Sequence, residues 1–183
     1  MTYQSSQLGE EFVAINAILI QFIMVSSFFL DAYAFSTEAI VGFSIGRRSK
    51  KTFLQTVSNS YKLSFFTGIF ISIIFLFLYK PIINTLTDID YLRFLSYEYF
   101  IWIVLIPPVA SFCYQLDGIF IGATQTKDMR NAMMVSVASY IIFSIYLTKY
   151  FGNHGLWFAL LLFMVFRSLT LNFLFNRIVK KFK

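Results

Sequence analysis

The chain has 183 residues, a net charge of +6, 58% hydrophobic residues and only 13% charged ones, against about 25% charged in soluble domains. A mean hydropathy of +0.70 means more apolar surface than a water-soluble fold of this length hides, so a lipid bilayer is the solvent it fits. The basic residues flank apolar runs and form no patch interleaved with aromatics, which argues against a nucleic-acid partner. The single cysteine, Cys113, lies in an apolar run and leaves no internal disulfide or cysteine metal cluster.

Five segments predict an all-α membrane fold of five transmembrane helices, since a hydrocarbon core takes roughly 20 residues to cross. The opening residues lack Lys and Arg and run into Glu10-Glu11, unlike the basic start of a signal peptide. The first predicted helix, 14–46, reaches about 50 Å, so it tilts or projects from the membrane. Its part 14–30 holds ten strongly apolar residues, worth about −3 to −6 kcal/mol on an insertion scale, where a mid-membrane carboxylate costs about +2.5 to +3.5 kcal/mol. Asp31 and Glu38 facing lipid would cancel that gain, so they are expected to face protein, a wet cavity or the membrane boundary. Two helical turns apart, they share a face with Phe35, Gly42 and Ile45. Ala34, Gly42 and Gly46 are small enough to admit a neighbouring helix. Two readings are open for the acids: paired carboxylates in a polar cavity that holds a cation or proton, or a structural ion-pair network with Arg47 or Arg130.

The polar segment 52–62 is expected at the membrane interface, ahead of a second helix over 63–79 that Pro81 closes. The third, 97–122, carries Pro107-Pro108, a pair expected to bend it and free backbone carbonyls, and then Asp117. That acid is either part of a cation or proton site or a fixed charge near the inner boundary. The fourth, 131–150, ends at Gly152-Asn153, and Gly155 opens the fifth, 155–176. Arg167 within it needs a partner, for which Asp31, Glu38 and Asp117 are the intramembrane candidates. His154 has no companions at metal-ligand spacing and is expected as a solvated residue of an external turn. No cofactor or metal is predicted. The many Phe and Tyr residues are expected as lipid-facing bulk and interfacial anchors.

Five crossings put the termini on opposite sides. Arg47, Arg48, Lys50, Lys51, Lys62, Lys127, Arg130, Arg177, Lys180, Lys181 and Lys183 then share one side, and Lys80, Arg93 and Lys149 the other. The positive-inside rule places the N-terminus outside and the C-terminus in the cytoplasm.

Several stretches together resemble a transporter family. Leu8-Gly9 followed by Ala14-Ile15-Asn16-Ala17-Ile18-Leu19 resembles the link between the seventh and eighth helices of multidrug and toxic-compound extrusion (MATE) transporters. Leu30-Asp31-Ala32-Tyr33-Ala34, then Glu38-Ala39-Ile40-Val41-Gly42, resembles the rest of that eighth helix. Leu116-Asp117-Gly118-Ile119-Phe120-Ile121-Gly122-Ala123-Thr124 followed by Met129-Arg130-Asn131 is similar to the tenth-helix signature of the DinF-like branch, and Gly155-Leu156-Trp157 with Phe163 and Arg167 to its last helix. The resemblance implies helices eight to twelve of a twelve-helix fold, with 1–7 as the end of the seventh and 1–183 as a single partial transmembrane domain. It also implies two six-helix bundles facing a central cavity in a bacterial inner membrane. The implied activity is antiport, in which organic compounds, organic cations among them, leave on a Na⁺ or H⁺ gradient. One incomplete bundle is expected not to transport alone, being either a truncated gene product or one piece of a split transporter whose partner is a separate chain carrying the missing helices. In the NorM-like branch the cation site uses acids on helices seven and ten, and Asp117 matches the second position; the coupling carboxylate of the DinF-like branch lies in the first helix, outside the matched stretch. Asn16, Arg130 and Arg167 fall in the matching motifs as structural or partner residues.

Two rival functions differ in class. A flippase for lipid-linked substrates would need cationic grooves, and Arg167 is the cation visible inside a span. A membrane phosphotransferase would place Asp117-Gly118 and Arg130 around a metal, but the further aspartates at four-residue spacing are missing.

Overall fold

The structure, a computed structural model, describes residues 1–182 apart from the side chain of Lys181. That side chain and Lys183, both in the basic set above, lie outside the described residues. A short α1 (Thr2–Leu8) precedes four long helices: α2 (Glu10–Gly46), α3 (Lys50–Leu86), α4 (Asp90–Gly122) and α5 (Thr126–Val179), with a final 3-10 turn at Lys180–Phe182. All four are long and apolar enough to cross a membrane by length and composition.

The last of them makes two passes. Gly152 takes φ 56° and ψ −136°, a left-handed backbone open to glycine at little cost. Tyr140 then meets Phe163 at 6.0 Å between ring centroids, and Phe143 meets Phe166 at 5.5 Å. In one straight helix those partners would stand about 35 Å apart. So α5 is a hairpin, with an ascending arm (126–151), a returning arm (153–179) and its open end tied by Arg177 to Asp128 at 2.8 Å.

Sequence-based boundaries shift outward. The segment 52–62 is continuous with the second helix as the start of α3, whose first turn is capped by Ser49 Oγ accepting from the Thr52 N–H. Phe53 and Val57 are buried one turn apart, so even this polar stretch has an apolar stripe that holds it in the bundle. Pro81 does not end α3, which runs on to Leu86. Ile83 is fully buried, and Arg93 from α4 donates to the carbonyls of Asn84 and Thr87, satisfying groups that a helix end leaves open. Asn153, expected in a turn, is helical and buried.

The central helix is α4, packed along α2, α3 and α5. It runs parallel to α2, since Ser27 meets Tyr114 and Thr37 meets Gln115. It runs antiparallel to α3, since Tyr79 meets Tyr97 while Tyr61 meets Phe112. Along α2 the stripe Leu19, Phe22, Ser26, Leu30, Ala34, Thr37, Val41 and Ser44 is buried, the spacing of one helix face. At Gly118 and Gly122 a β-carbon would run into the backbone of Ala34 and Glu38, so these two glycines, one turn apart, set how close α4 and α2 come. Ala34 and Gly42 lie in this contact, whereas Gly46 faces open space and admits no neighbour. Gly42 approaches Gly122 of α4, whereas Phe35, two turns earlier, is exposed.

Buried apolar side chains form two clusters. One, nearer the α3–α4 turn, centres on Phe22, which meets Phe75 and Phe100 edge-on at 5.2 Å each. The other, nearer the α2–α3 turn, holds Val41, Phe53, Ile119, Phe120, Leu171 and Ile178. The aromatic residues therefore split: Phe28, Phe35, Phe66, Phe70, Phe77 and Phe173 are exposed as expected of lipid-facing bulk, while Phe22, Phe75, Tyr99, Phe100 and Trp157 are core.

Candidate functional site

Between the two apolar clusters the α2–α4 seam becomes polar. Apolar packing on α2 stops at Leu30 and resumes at Val41, and the gap contains Asp31, Thr37 and Glu38. Facing it, α4 supplies Tyr114, Gln115 and Asp117. Ser27 Oγ and the Tyr114 hydroxyl share a hydrogen bond of 2.7 Å. Thr37 Oγ1 lies 2.7 Å from Gln115 Oε1, and both residues are fully buried. One helical turn past Ser27, Asp31 is close enough to act electrostatically on Tyr114 and Asp117.

Arg167 finds its partner in Asp117. Its Nη2 stands 2.9 Å from Asp117 Oδ2, with the two side chains 15% and 16% exposed. The returning arm of α5 runs parallel to α4 and delivers Arg167 to this level. The pair is incompletely satisfied: Asp117 Oδ1 and Arg167 Nε are buried and make no hydrogen bond among the described residues. A charge pair with spare lone pairs and donors retains more desolvation cost than a fully bonded one.

Asp31 and Glu38 are half-buried and make no ion pair or hydrogen bond among the described residues. The network considered for them with Arg47 or Arg130 does not form. Arg47 lies 4.7 Å over the Phe43 ring, and among the described residues Arg130 reaches its neighbour Asn131, at 3.4 Å. Both arginines are exposed beyond the end of α2 or at the start of α5, several turns from Asp31.

Pro107 and Pro108 lie inside a continuous α4. Without an N–H on Pro108, the Val104 carbonyl loses its helical donor; Ser72 of α3 donates to it at 2.7 Å. A β-carbon on Gly68 would press on Pro107, so α3 comes closest where α4 needs a donor. Cys113, one turn beyond, is buried and free.

Asn16 organises a second polar cluster at the opposite end of α2. Its Nδ2 donates to Ser5 Oγ at 2.8 Å and to Asn153 Oδ1 at 2.7 Å. Its Oδ1 accepts from Asn153 Nδ2 at 3.0 Å and Trp157 Nε1 at 2.8 Å. All four hydrogen-bonding valences of the amide are filled, and α1, α2 and the α5 reversal are joined through one side chain. His154 is only part-solvated, with its side chain 39% exposed: its Nδ1 accepts from Trp102 Nε1 at 3.0 Å, its ring packs 4.4 Å from Tyr99, and Nε2 lies 3.5 Å from Glu98. The turn suggested a solvated side chain, but the reversal brings this residue against α4. Ser27, Tyr114, Gln115 and Ser72 were missed by sequence reasoning, and Asn153 and Trp157, read there as a helix end and a motif residue, were not expected in a polar cluster. The available signal was the recurrence of hydroxyl and amide side chains at helical spacing inside apolar runs.

A bundle of helices this long and apolar, with acids and an arginine held between α2, α4 and the returning arm of α5, is a multi-pass membrane protein. The MatE family model matches residues 1–148, and the chain belongs to that family. It is 33% identical over 177 residues to DNA damage-inducible protein F of Escherichia coli (strain K12); the match takes in 97% of this chain and 38% of that relative. The chain thus spans well under half the length of the curated protein it matches. No solved structure matches it.

Proposed function

We propose that the chain is one lobe of an efflux transporter that expels organic compounds, organic cations among them, on a Na⁺ or H⁺ gradient. In this reading it sits in a bacterial inner membrane with its N-terminus outside and its basic end in the cytoplasm. A second lobe, on a separate chain or a further segment, closes the cavity. The observation that carries the reading is the state of Asp31 and Glu38, half-buried at mid-helix and unpaired among the described residues. A carboxylate at that depth against lipid costs about +2.5 to +3.5 kcal/mol, so the flank of α2 that bears them belongs against water or facing protein. Asp117, tied to Arg167 next to Asp31, extends the acidic surface inward and is the inner candidate for the coupling ion. Alternating access requires two bundles moving about a shared site, so the lone chain does not transport.

The test is dye efflux from vesicles energised by a proton or sodium gradient. The chain is reconstituted alone and together with the part of a MatE protein that it lacks. Efflux only in the combined sample, abolished by Asp31→Asn with Glu38→Gln, is expected. Gradient-driven efflux by the chain alone overturns the one-lobe reading, and full activity of the neutralised variant overturns the role of the acids.

A further inference from the structure

Apart from the α2–α4 seam, a groove of about 340 Å³ opens between α2 and α3. Beside the apolar Ile40 and Leu63, its lining carries more hydroxyl and amide side chains than membrane helices usually leave without cause. Gln55, Thr56, Asn59 and Ser60 form one stripe of α3, and Ser36 and Tyr33 face them from α2. Tyr33 takes a hydrogen bond from Thr67, whereas the side chains of Ser36, Gln55, Thr56, Asn59 and Ser60 have no partner among the described residues. No acid lines the groove: Glu38, two residues from both Ser36 and Ile40, is on the other side of α2, where its backbone abuts Gly122.

At its basic end the groove reaches Thr52, one turn from four exposed cations, Arg47, Arg48, Lys50 and Lys51. This turn is fixed. Arg48 holds a left-handed φ of 53°, and the Ser49 N–H bonds to Ser44 O at 2.9 Å. Phe53 stacks on Phe175 and packs on Phe182, which brings the exposed Lys180 to the same end. No acid stands in the first turn of α3, where the dipole is already positive and Lys50 and Lys51 add to it. Like charges gathered on a rigid turn raise the energy of the isolated protein and lower it when an anion arrives.

We propose that this groove binds the phosphate-bearing headgroup of an anionic membrane lipid. The phosphodiester meets the cations of the α2–α3 turn, and the headgroup hydroxyls take the free amide and hydroxyl groups of Ser36, Gln55, Asn59 and Ser60. An uncharged, hydroxyl-rich lining beside a cationic mouth fits a phosphate with polyol better than a bare anion. A phosphate with hydroxyls is also offered by soluble glycerol phosphates; the place of the groove between two helices long and apolar enough to cross a membrane favours the lipid.

The full chain in detergent is titrated with phosphatidylglycerol, phosphatidylcholine and glycerol 3-phosphate, and bound species are counted by native mass spectrometry. Phosphatidylglycerol is expected to bind about tenfold more tightly than phosphatidylcholine, from the attraction of several cations to one added negative charge, with glycerol 3-phosphate far weaker than either. The Arg47→Gln/Arg48→Gln/Lys50→Gln/Lys51→Gln variant loses the preference. Because those charges also guide insertion, Asn59→Leu/Ser60→Leu serves as a second variant that fills the groove and leaves the charge unchanged; it too loses the preference. Equal binding of the two lipids overturns the proposal. So does preference retained in Asn59→Leu/Ser60→Leu, which would assign binding to the cations without the groove. Glycerol 3-phosphate binding as tightly as the lipid overturns the choice of a membrane ligand. None of these outcomes bears on efflux, so this site and the transport reading stand or fall separately.

Discussion

Replacing Arg167 with Met removes the charge facing Asp117 and keeps an unbranched side chain of similar length. With both partners only 15–16% exposed, the carboxylate left behind is an unpaired buried charge, a situation that costs about 3–5 kcal/mol. Residual exposure and proton uptake by the stranded acid relieve part of this, so a loss of about 3 kcal/mol is expected. Asp117→Asn leaves the guanidinium a neutral acceptor in the same place and costs less, about 1–2 kcal/mol. The double variant Asp117→Leu/Arg167→Met removes both charges together with the two unsatisfied atoms, Asp117 Oδ1 and Arg167 Nε. It is expected within about 1 kcal/mol of the parent or above it. Unfolding in mixed micelles with rising SDS fraction, followed by far-UV circular dichroism and by tryptophan fluorescence, gives all four corners of the cycle once Asp117→Leu is measured as the matching single variant. An Arg167→Met variant within about 0.5 kcal/mol of the parent would refute the reasoning, as would a double variant no better than the sum of the singles.

Asn16→Ala strands Ser5, Asn153 and Trp157 together; at about 0.6 kcal/mol per hydrogen bond in membrane bundles and up to about 1.7 for the best, a loss of about 2–4 kcal/mol is expected in the same SDS titration. Hydrogen exchange should then rise at α1 and at the α5 reversal before it rises in α4. Gly118→Val pushes a branched side chain into the Ala34 backbone and should cost more than the usual 1–3 kcal/mol of an overpacked core, about 3 or above; a crosslink between cysteines placed on α2 and α4 at this level should slow accordingly. Ser72→Ala removes the donor to the Val104 carbonyl and should lose about 1 kcal/mol, with Ser72→Thr recovering it in the same titration.

The amino-acid order disclosed most of the architecture because apolar runs are long and their interruptions are chemically plain. Gly152 marked the reversal that splits α5, and Arg167 announced that an acid had to meet it. What escaped was everything decided by two helices at once. Pro81 reads as a stop, yet Ile83 packing and the Arg93 side chain from α4 carry α3 a further turn. The segment 52–62 reads as a piece ahead of the second helix because its polar stripe is counted without the buried Phe53 and Val57. His154 reads as exposed because nothing local shows that the hairpin lays it against Trp102. At the candidate site, Asp31 and Glu38 stood out by cost alone, while their pairing state depended on how far Arg47 and Arg130 lie along the bundle. The hydroxyls of Ser27 and Thr37 carry no such cost and became visible only through Tyr114 and Gln115.

Ser72 and its acceptor, the Val104 carbonyl beside Pro107-Pro108, have a mechanical consequence. A proline pair ordinarily gives a helix a private hinge, free to flex without consulting its neighbours. Here the loosened peptide is fastened to α3, and Gly68 seats the two backbones against each other at the same height. If the lobe rocks about that point, α3 and α4 swing as one plate, and the lever arm that moves Asp117 is two helices wide.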